Sequence, residues 1–169
     1  SIVLVRAGDY HLDRVAPDGT LEKGPAIPFD PVRIGTAEKE EYLAELARSG
    51  GGIRVGVEMV DGEMSMSFAR GAPGGRDREI DRYTWPEEKP PIYSGRIPVD
   101  SLGRAWVRRH VEAGEPSTYD VLGPDGTLLD TVLLPHGKRV IGFGEGRIYV
   151  VAYDEFDLNY LERYEMPRF

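Results

Sequence analysis

Three histidines, a few hydroxyls and one acidic loop are the residues of this chain whose types and spacing could do chemistry. His11, His110 and His136 each fall at a strand start or a turn, and none has a histidine companion at i+2 or i+4. Metal-ligand spacing is therefore absent. The loop Asp154-Glu155-Asp157, close to Asn159, carries enough oxygens to make a weak Ca2+ candidate. It lacks the glycine-punctuated Asp-x-Asp-x-Asp spacing and reads more simply as a hairpin tip. Ser49, Ser65, Ser67, Ser94, Ser101 and Ser117 sit in no Gly-x-Ser-x-Gly elbow. The run Gly142-Phe143-Gly144-Glu145-Gly146 is glycine-rich but opens no helix, so it is no phosphate cradle. The sequence thus offers no catalytic residue, no metal site beyond that weak loop, and no cofactor.

What would position any such group is a series of short strands with an internal repeat. Tyr119 to Pro135 reads as a strand to Leu122, a turn at Pro124-Asp125-Gly126 and a second strand from Thr127 to Leu134. Tyr10 to Pro28 is a near copy. The pentapeptide Pro-Asp-Gly-Thr-Leu stands at 17–21 and again at 124–128, and seven residues after each Leu comes a proline, Pro28 or Pro135, behind an aliphatic residue. Such self-similarity decides architecture before any single residue does. Asp-Gly supplies the positive φ that a tight turn between strands requires.

The rest of the chain divides around these copies. Ile2 to Ala7 reads as a buried strand, and Tyr10, Leu12 and Val15 as the inward set of the next. Pro28, Pro31 and Gly35 mark an irregular crossing, with Thr36 as N-cap of a helix over 37–49. Its apolar stripe, Leu43, Leu46 and Ala47, is too narrow for a core and suits a sheet edge or a partner. A hairpin over 54–69 follows, turning at Asp61-Gly62, with Met59, Met64, Met66 and Phe68 as an adaptable apolar face. A polar loop leads to the proline-rich stretch 81–93, where Trp85 is an aromatic anchor. Ile97 to Val99 reads as a short inner strand. Arg104 to Arg109 is a strand with Ala105 and Val107 facing one way and Trp106 the other, its basic residues a solvated face. Three more strands occupy 140–143, 147–153 and 158–164.

Composition sets outer bounds. The chain has 169 residues, 40% hydrophobic and 30% charged, enough for a real core. A net charge of −8 argues against a nucleic-acid surface. Without cysteine there is no disulfide framework and no thiolate chemistry. No apolar run approaches the ~18 residues of a membrane-spanning helix. The chain opens on a strand at Ser1 with neither Met nor signal peptide, as expected of a processed product or a piece of something longer.

The order IPVDSLGRAWV, YDVLGPDGTLLDTVLLP, VIGFGEGRIYVVAYDEFDLNYLERYEM resembles the C-terminal blades of bacterial six-bladed β-propellers of the NHL-repeat-like group. Asp100, Gly103, Trp106 and Val107 match the strand start of that group. Asp125, Gly126 and Pro135 match its later turn, as do Asp18, Gly19 and Pro28. Gly146, Ile148, Tyr149 and Val150 repeat the first pattern without its Asp. The resemblance implies a mainly β fold: antiparallel β-meander blades of a partial propeller of about three blades, with one helical insertion. Blade-like units are expected at 1–28, 97–135 and 139–166, and the insertion at 29–95.

Blades of ~40–50 residues leave this chain too short to close a ring, so its open sheet edge calls for a cover. That cover is either missing blades, another copy of the chain in a homo-oligomer, or a different protein. The long insertion, the narrow-striped helix and the lack of a catalytic constellation point to a non-catalytic protein-binding or scaffold segment, part of a larger assembly. The lack of cysteine and the resemblance to exported propellers imply the periplasm or another place outside the cytoplasm. The segment's partner would meet Tyr42, Leu43, Leu46, Met59, Met64, Met66, Phe68 and Trp85. The alternative is part of a propeller hydrolase or lyase acting on a small ester, lactone or glycan-derived substrate. Such enzymes need carboxylates and histidines at inner-strand starts, where this chain has Val, Ile, Gly and Phe.

Overall fold

The computed structural model describes residues 2–49, 54–60, 63–69, 80–153 and 158–167, with 47–49, 54–60 and 63–69 described by their backbone only. Among the described residues the chain is mainly β, with one full helix. Its elements are β1 (Ile2–Arg6), β2 (His11–Val15), β3 (Leu21–Lys23), α1 (Thr36–Ser49), β4 (Arg54–Val60), β5 (Glu63–Ala69), β6 (Ala105–Arg108), β7 (Ser117–Leu122), β8 (Leu128–Leu134), β9 (Arg139–Gly144), β10 (Arg147–Tyr153) and β11 (Asn159–Glu165). Among the described residues every ladder is antiparallel and joins strands adjacent in sequence. They form three three-stranded sheets, here sheet I (β1-β2-β3), sheet II (β6-β7-β8) and sheet III (β9-β10-β11), and the hairpin β4-β5. The chain divides into two compact units, Ile34–Pro86 with α1 and the hairpin, and the remainder with the three sheets. No helix among the described residues is long and apolar enough to cross a membrane.

The sequence repeat is a structural repeat down to its hydrogen bonds. In both turns the Asp carboxylate accepts from the Thr amide two residues on, Asp18 from Thr20 at 2.9 Å and Asp125 from Thr127 at 3.1 Å. Gly19 and Gly126 take φ of 87° and 84°, a region closed to most side chains. Ala16 N donates to Thr20 O, and Gly123 N to Thr127 O, closing the same loop. The β9–β10 connection is different. Glu145 and Gly146 both have positive φ, 51° and 70°, which is the signature of a two-residue hairpin loop.

The three sheets stack with sheet II in the middle. Ala105, Val107 and Leu122 of sheet II join Tyr10 and Leu12 of sheet I, together with Ile27 and Ile92, in one cluster that Val3, Val5, Phe29 and Ile97 border. Trp106, Tyr119 and Val121, from the other face of sheet II, pack on Val140, Ile148 and Val150 of sheet III. Ala105 and Val107 do face one way and Trp106 the other, as the alternation required. Sandwiching explains burial along the whole of β7, whereas β10 alternates buried and half-buried because one side of sheet III is covered. Polar contacts pin the stack at both joints, including Arg14 Nε donating to Pro124 O at 2.8 Å. The Tyr10 hydroxyl donates to Asp120 at 2.7 Å, and Val140 N donates to the Tyr119 hydroxyl at 3.0 Å.

The Asp-x-x-Gly-x-x-Trp pattern at 100–106 acquires a physical meaning. The Asp100 carboxylate accepts from the amides of Leu102 and Arg104, the Arg104 guanidinium and the Trp106 indole, all within 3.1 Å. Burial pushes the Asp100 carboxyl up, but these bonds outweigh it and hold it below its ordinary value. Gly103, at φ 76°, lets the loop double back beneath the carboxylate.

Five expectations need correction. β1 is no buried strand: Ile2 and Leu4 are exposed and only Val3 and Val5 are half-buried. Val15 does not join Tyr10 and Leu12 in the core, because it pairs with the exposed Ile2 on the opposite face. The basic residues of 104–109 are not a solvated face: Arg104 is buried against Asp100, Arg109 reaches Asp120 at 3.7 Å, and Arg108 lies 4.1 Å over the Tyr93 ring. Strand alternation alone cannot show that carboxylates and a ring wait beside them. Thr36 is the first helical residue and not the cap. Lys39 N donates to Gly35 O, and Glu38 reaches back to Gly35 N at 3.0 Å, so Gly35 is the N-cap. Ile97 to Val99 is no full strand. It meets β6 through one bridge, Val99 to Ala105, while Ile92 bridges to Arg109 farther along the same edge. A third isolated bridge, Arg33 to Glu88, closes the base of the 34–86 unit, with Lys89 N donating to Val32 O at 2.8 Å.

Candidate binding surfaces

Within the Ile34–Pro86 unit, α1 carries Tyr42, Leu43 and Leu46. Spacings of three and four put Tyr42 and Leu46, and Leu43 and Leu46, on neighbouring parts of one helix face. Tyr42 meets two rings from the proline-rich stretch, Tyr83 at 6.2 Å and Trp85 at 5.5 Å, both edge-on. Tyr83 and Trp85 lie 5.7 Å apart, so the three rings form a closed triangle. Trp85 donates its indole N–H to Ile80 O at 2.9 Å, and Lys39 stands 5.8 Å over its ring. Edge-on contacts suit the ring quadrupoles and favour this arrangement of the group. Tyr42 and Tyr83 nonetheless remain 48% and 43% exposed, and Leu46 is exposed beside them.

Of the residues named from the sequence, Tyr42 and Trp85 thus come into contact, while Leu43 is half-buried on the same helix. Met59 pairs with Met64, Val57 with Met66 and Val55 with Phe68 in the β4–β5 ladder, so Met59, Met64, Met66 and Phe68 share one face of the hairpin. Tyr83 was missed, although its i, i+2 spacing from Trp85 was visible. Asp154, Glu155 and Asp157 lie outside the described residues. Among the described residues no three His, Asp or Glu side chains converge as metal ligands.

The histidines resolve one by one. His110 stacks on Tyr93 at 3.8 Å, and His136 approaches Glu115 O. His11 is buried with its Nε2 3.0 Å from Asp13, which also accepts from Arg6 Nε at 2.8 Å. The Arg6 bond, working against partial desolvation, holds the Asp13 carboxyl below its ordinary value. This Arg6–His11–Asp13 group was also missed. The signal was present, since Asp13 and Asp120 each stand four residues before the repeated Pro-Asp-Gly-Thr-Leu.

A cleft of about 580 Å3 lies between β1 and the 95–103 segment, with Val3, Val5, Ile97 and Val99 apolar and Arg14 and Arg96 charged in its lining. No carboxylate, histidine or hydroxyl belongs to that lining. No protein-family model, curated protein or solved structure matches this chain.

Proposed function

We propose that this chain is a non-catalytic protein-binding and scaffold segment of a propeller-like β assembly, and that its 34–86 unit carries the partner site. The observation behind this is the Tyr42–Tyr83–Trp85 triangle, in which each ring touches the other two while both tyrosines stay nearly half open to solvent. Tyrosine and tryptophan dominate the energetics of protein interfaces, and rings fixed in advance lose little entropy on binding. Lys39 beside Trp85 adds a cation at the edge of the patch. A run of stacked antiparallel sheets made from one repeat supports the propeller-like part of the reading. The alternative, a hydrolase or lyase, rests on fold analogy and would need acid–base or metal-binding groups converging on a cleft.

The test is purification of the native particle from its source with every subunit identified, repeated with a Tyr42→Ala, Trp85→Ala double variant. A stoichiometric protein partner present with the wild type and lost with the variant is the expected result. A partner retained undiminished by a folded double variant would overturn the site.

A further inference from the structure

Three rings in mutual contact can do more than hold one another. The planes of Tyr42 and Trp85 stand at 89°, those of Tyr42 and Tyr83 at 78°, and those of Tyr83 and Trp85 at 57°. Rings this steep to one another bound a corner and not a stack. Their centroids lie between 5.5 and 6.2 Å apart. One small cation can therefore stand within about 6 Å of all three, the range over which a ring face attracts positive charge. Solvent reaches the group, since Tyr42 is 48% and Tyr83 43% exposed.

The chain already places a cation there. Lys39 lies three residues before Tyr42, on a neighbouring part of the same α1 face. Its ammonium stands 5.8 Å over the Trp85 ring. Four glutamates share this helix, Glu38, Glu40, Glu41 and Glu45. Among the described residues Lys39 nonetheless forms a salt bridge with none of them. An ammonium that rests on an indole, with carboxylates one helical turn away, marks where this surface accepts positive charge. Its distance is near the outer limit of that attraction, so a better-placed cation can displace it. Glu38 and Glu45 stand four residues before and three after Tyr42. They put negative charge on either side of the rings along the same face.

Resting on the reading of this unit as the partner site, we propose that the Tyr42–Tyr83–Trp85 corner is an ammonium site. Lys39 fills it when the protein is alone, and a lysine of the protein partner replaces Lys39 on binding. The three ring faces hold the incoming charge, and the two glutamates draw it in. An ammonium suits the corner because the chain's own occupant is one.

The chain has two tryptophans, and Trp106 is 1% exposed, so a surface ligand moves the indole N–H resonance of Trp85. The probe is n-butylammonium, which copies the end of a lysine side chain, with n-butanol as its neutral counterpart. Titration of the whole chain with butylammonium should give a saturable shift of that resonance, and butanol should give none. Lys39→Met keeps the side-chain length and removes the competing charge, so it should lower the apparent Kd about threefold or more. An equal shift with butanol would overturn the proposal, because the rings would then be merely an apolar patch. So would a Kd unchanged or raised in Lys39→Met, or tighter binding of n-propylguanidinium than of butylammonium. Failure of the ammonium and failure of the partner site are distinguishable. A partner lost with the Tyr42→Ala, Trp85→Ala protein, beside a flat butylammonium titration, overturns the ammonium and keeps the partner site. A saturable titration beside a native particle that holds no partner overturns the partner lysine and keeps the ammonium site.

Discussion

Sheets I and II are made from the same repeat and differ in what surrounds them. In sheet II the interior carboxylate, Asp120, is fully buried and takes one partner from the next sheet, the Tyr10 hydroxyl, besides Thr131 at 3.3 Å and Arg109 at 3.7 Å beside its own strand. In sheet I the equivalent Asp13 finds its partners locally, in Arg6 across the ladder and His11 two residues back. Arg6 and Arg109 occupy matching places, since Arg6 pairs with His11 and Arg109 N donates to Thr118 O. The exchange is His11 for Thr118. A carboxylate inside a sheet must be satisfied. Where a neighbouring sheet brings a hydroxyl, a small Thr suffices beside it, and where none is present the strand supplies an imidazole of its own.

That contrast can be broken by experiment. Asp120→Ala should cost about 3–5 kcal/mol, because it strands the Arg109 cation and the Tyr10 hydroxyl in the interior. Asp13→Ala should cost clearly less, since Arg6 is half-exposed and can turn to water. Equal losses in urea denaturation would mean that the two faces are equivalent after all. The matched turns give a second, smaller contrast. Gly19→Ala should cost about 1–2 kcal/mol from its left-handed backbone alone, as nothing lies within 4 Å of a Cβ there. Gly126→Ala should cost more, because its Cβ would come 3.0 Å from the Gly24 backbone. A smaller loss at 126 than at 19 would sink the claim that the repeats press together at that point.

The smallest effect is set by pH. Burial first, and then the Asp120 charge and hydrogen bond, raise the Tyr10 phenol well above its ordinary value. Above about pH 10 the unfolded chain loses this proton while the native chain keeps it. Stability from this group is therefore complete below that pH and declines as pH rises past it, by about 1.4 kcal/mol per unit. The urea midpoint of Tyr10→Phe should lack this component of the alkaline decline. Parallel declines in both proteins would assign the slope to other tyrosines.

Much of this architecture was legible because its signals are local. The Asp-Gly turns, the alternation of Ala105, Trp106 and Val107, and the acidic start of α1 all act within a few residues. The contacts that stack the sheets were not legible. Tyr10 and Asp120 are 110 positions apart, and no periodicity links a phenol to so distant a carboxylate. The same limit misled the reading of Arg104, Arg108 and Arg109, whose polar alternation matches that of a wet strand. In the 34–86 unit, the chain pattern marked Tyr42 and Trp85 separately. Only folding brought Tyr83 between them.

The bridge between Arg33 and Glu88 has an evolutionary consequence. Residues paired across an antiparallel ladder have Cα atoms about 4.5–5.5 Å apart, so the 34–86 unit leaves the β scaffold and rejoins it at nearly the same point. Its length and sequence can drift, or be exchanged wholesale, without re-registering any strand of the three sheets. Selection on what the unit binds is thereby uncoupled from selection on the stack that carries it. Related chains should therefore vary most between these two residues.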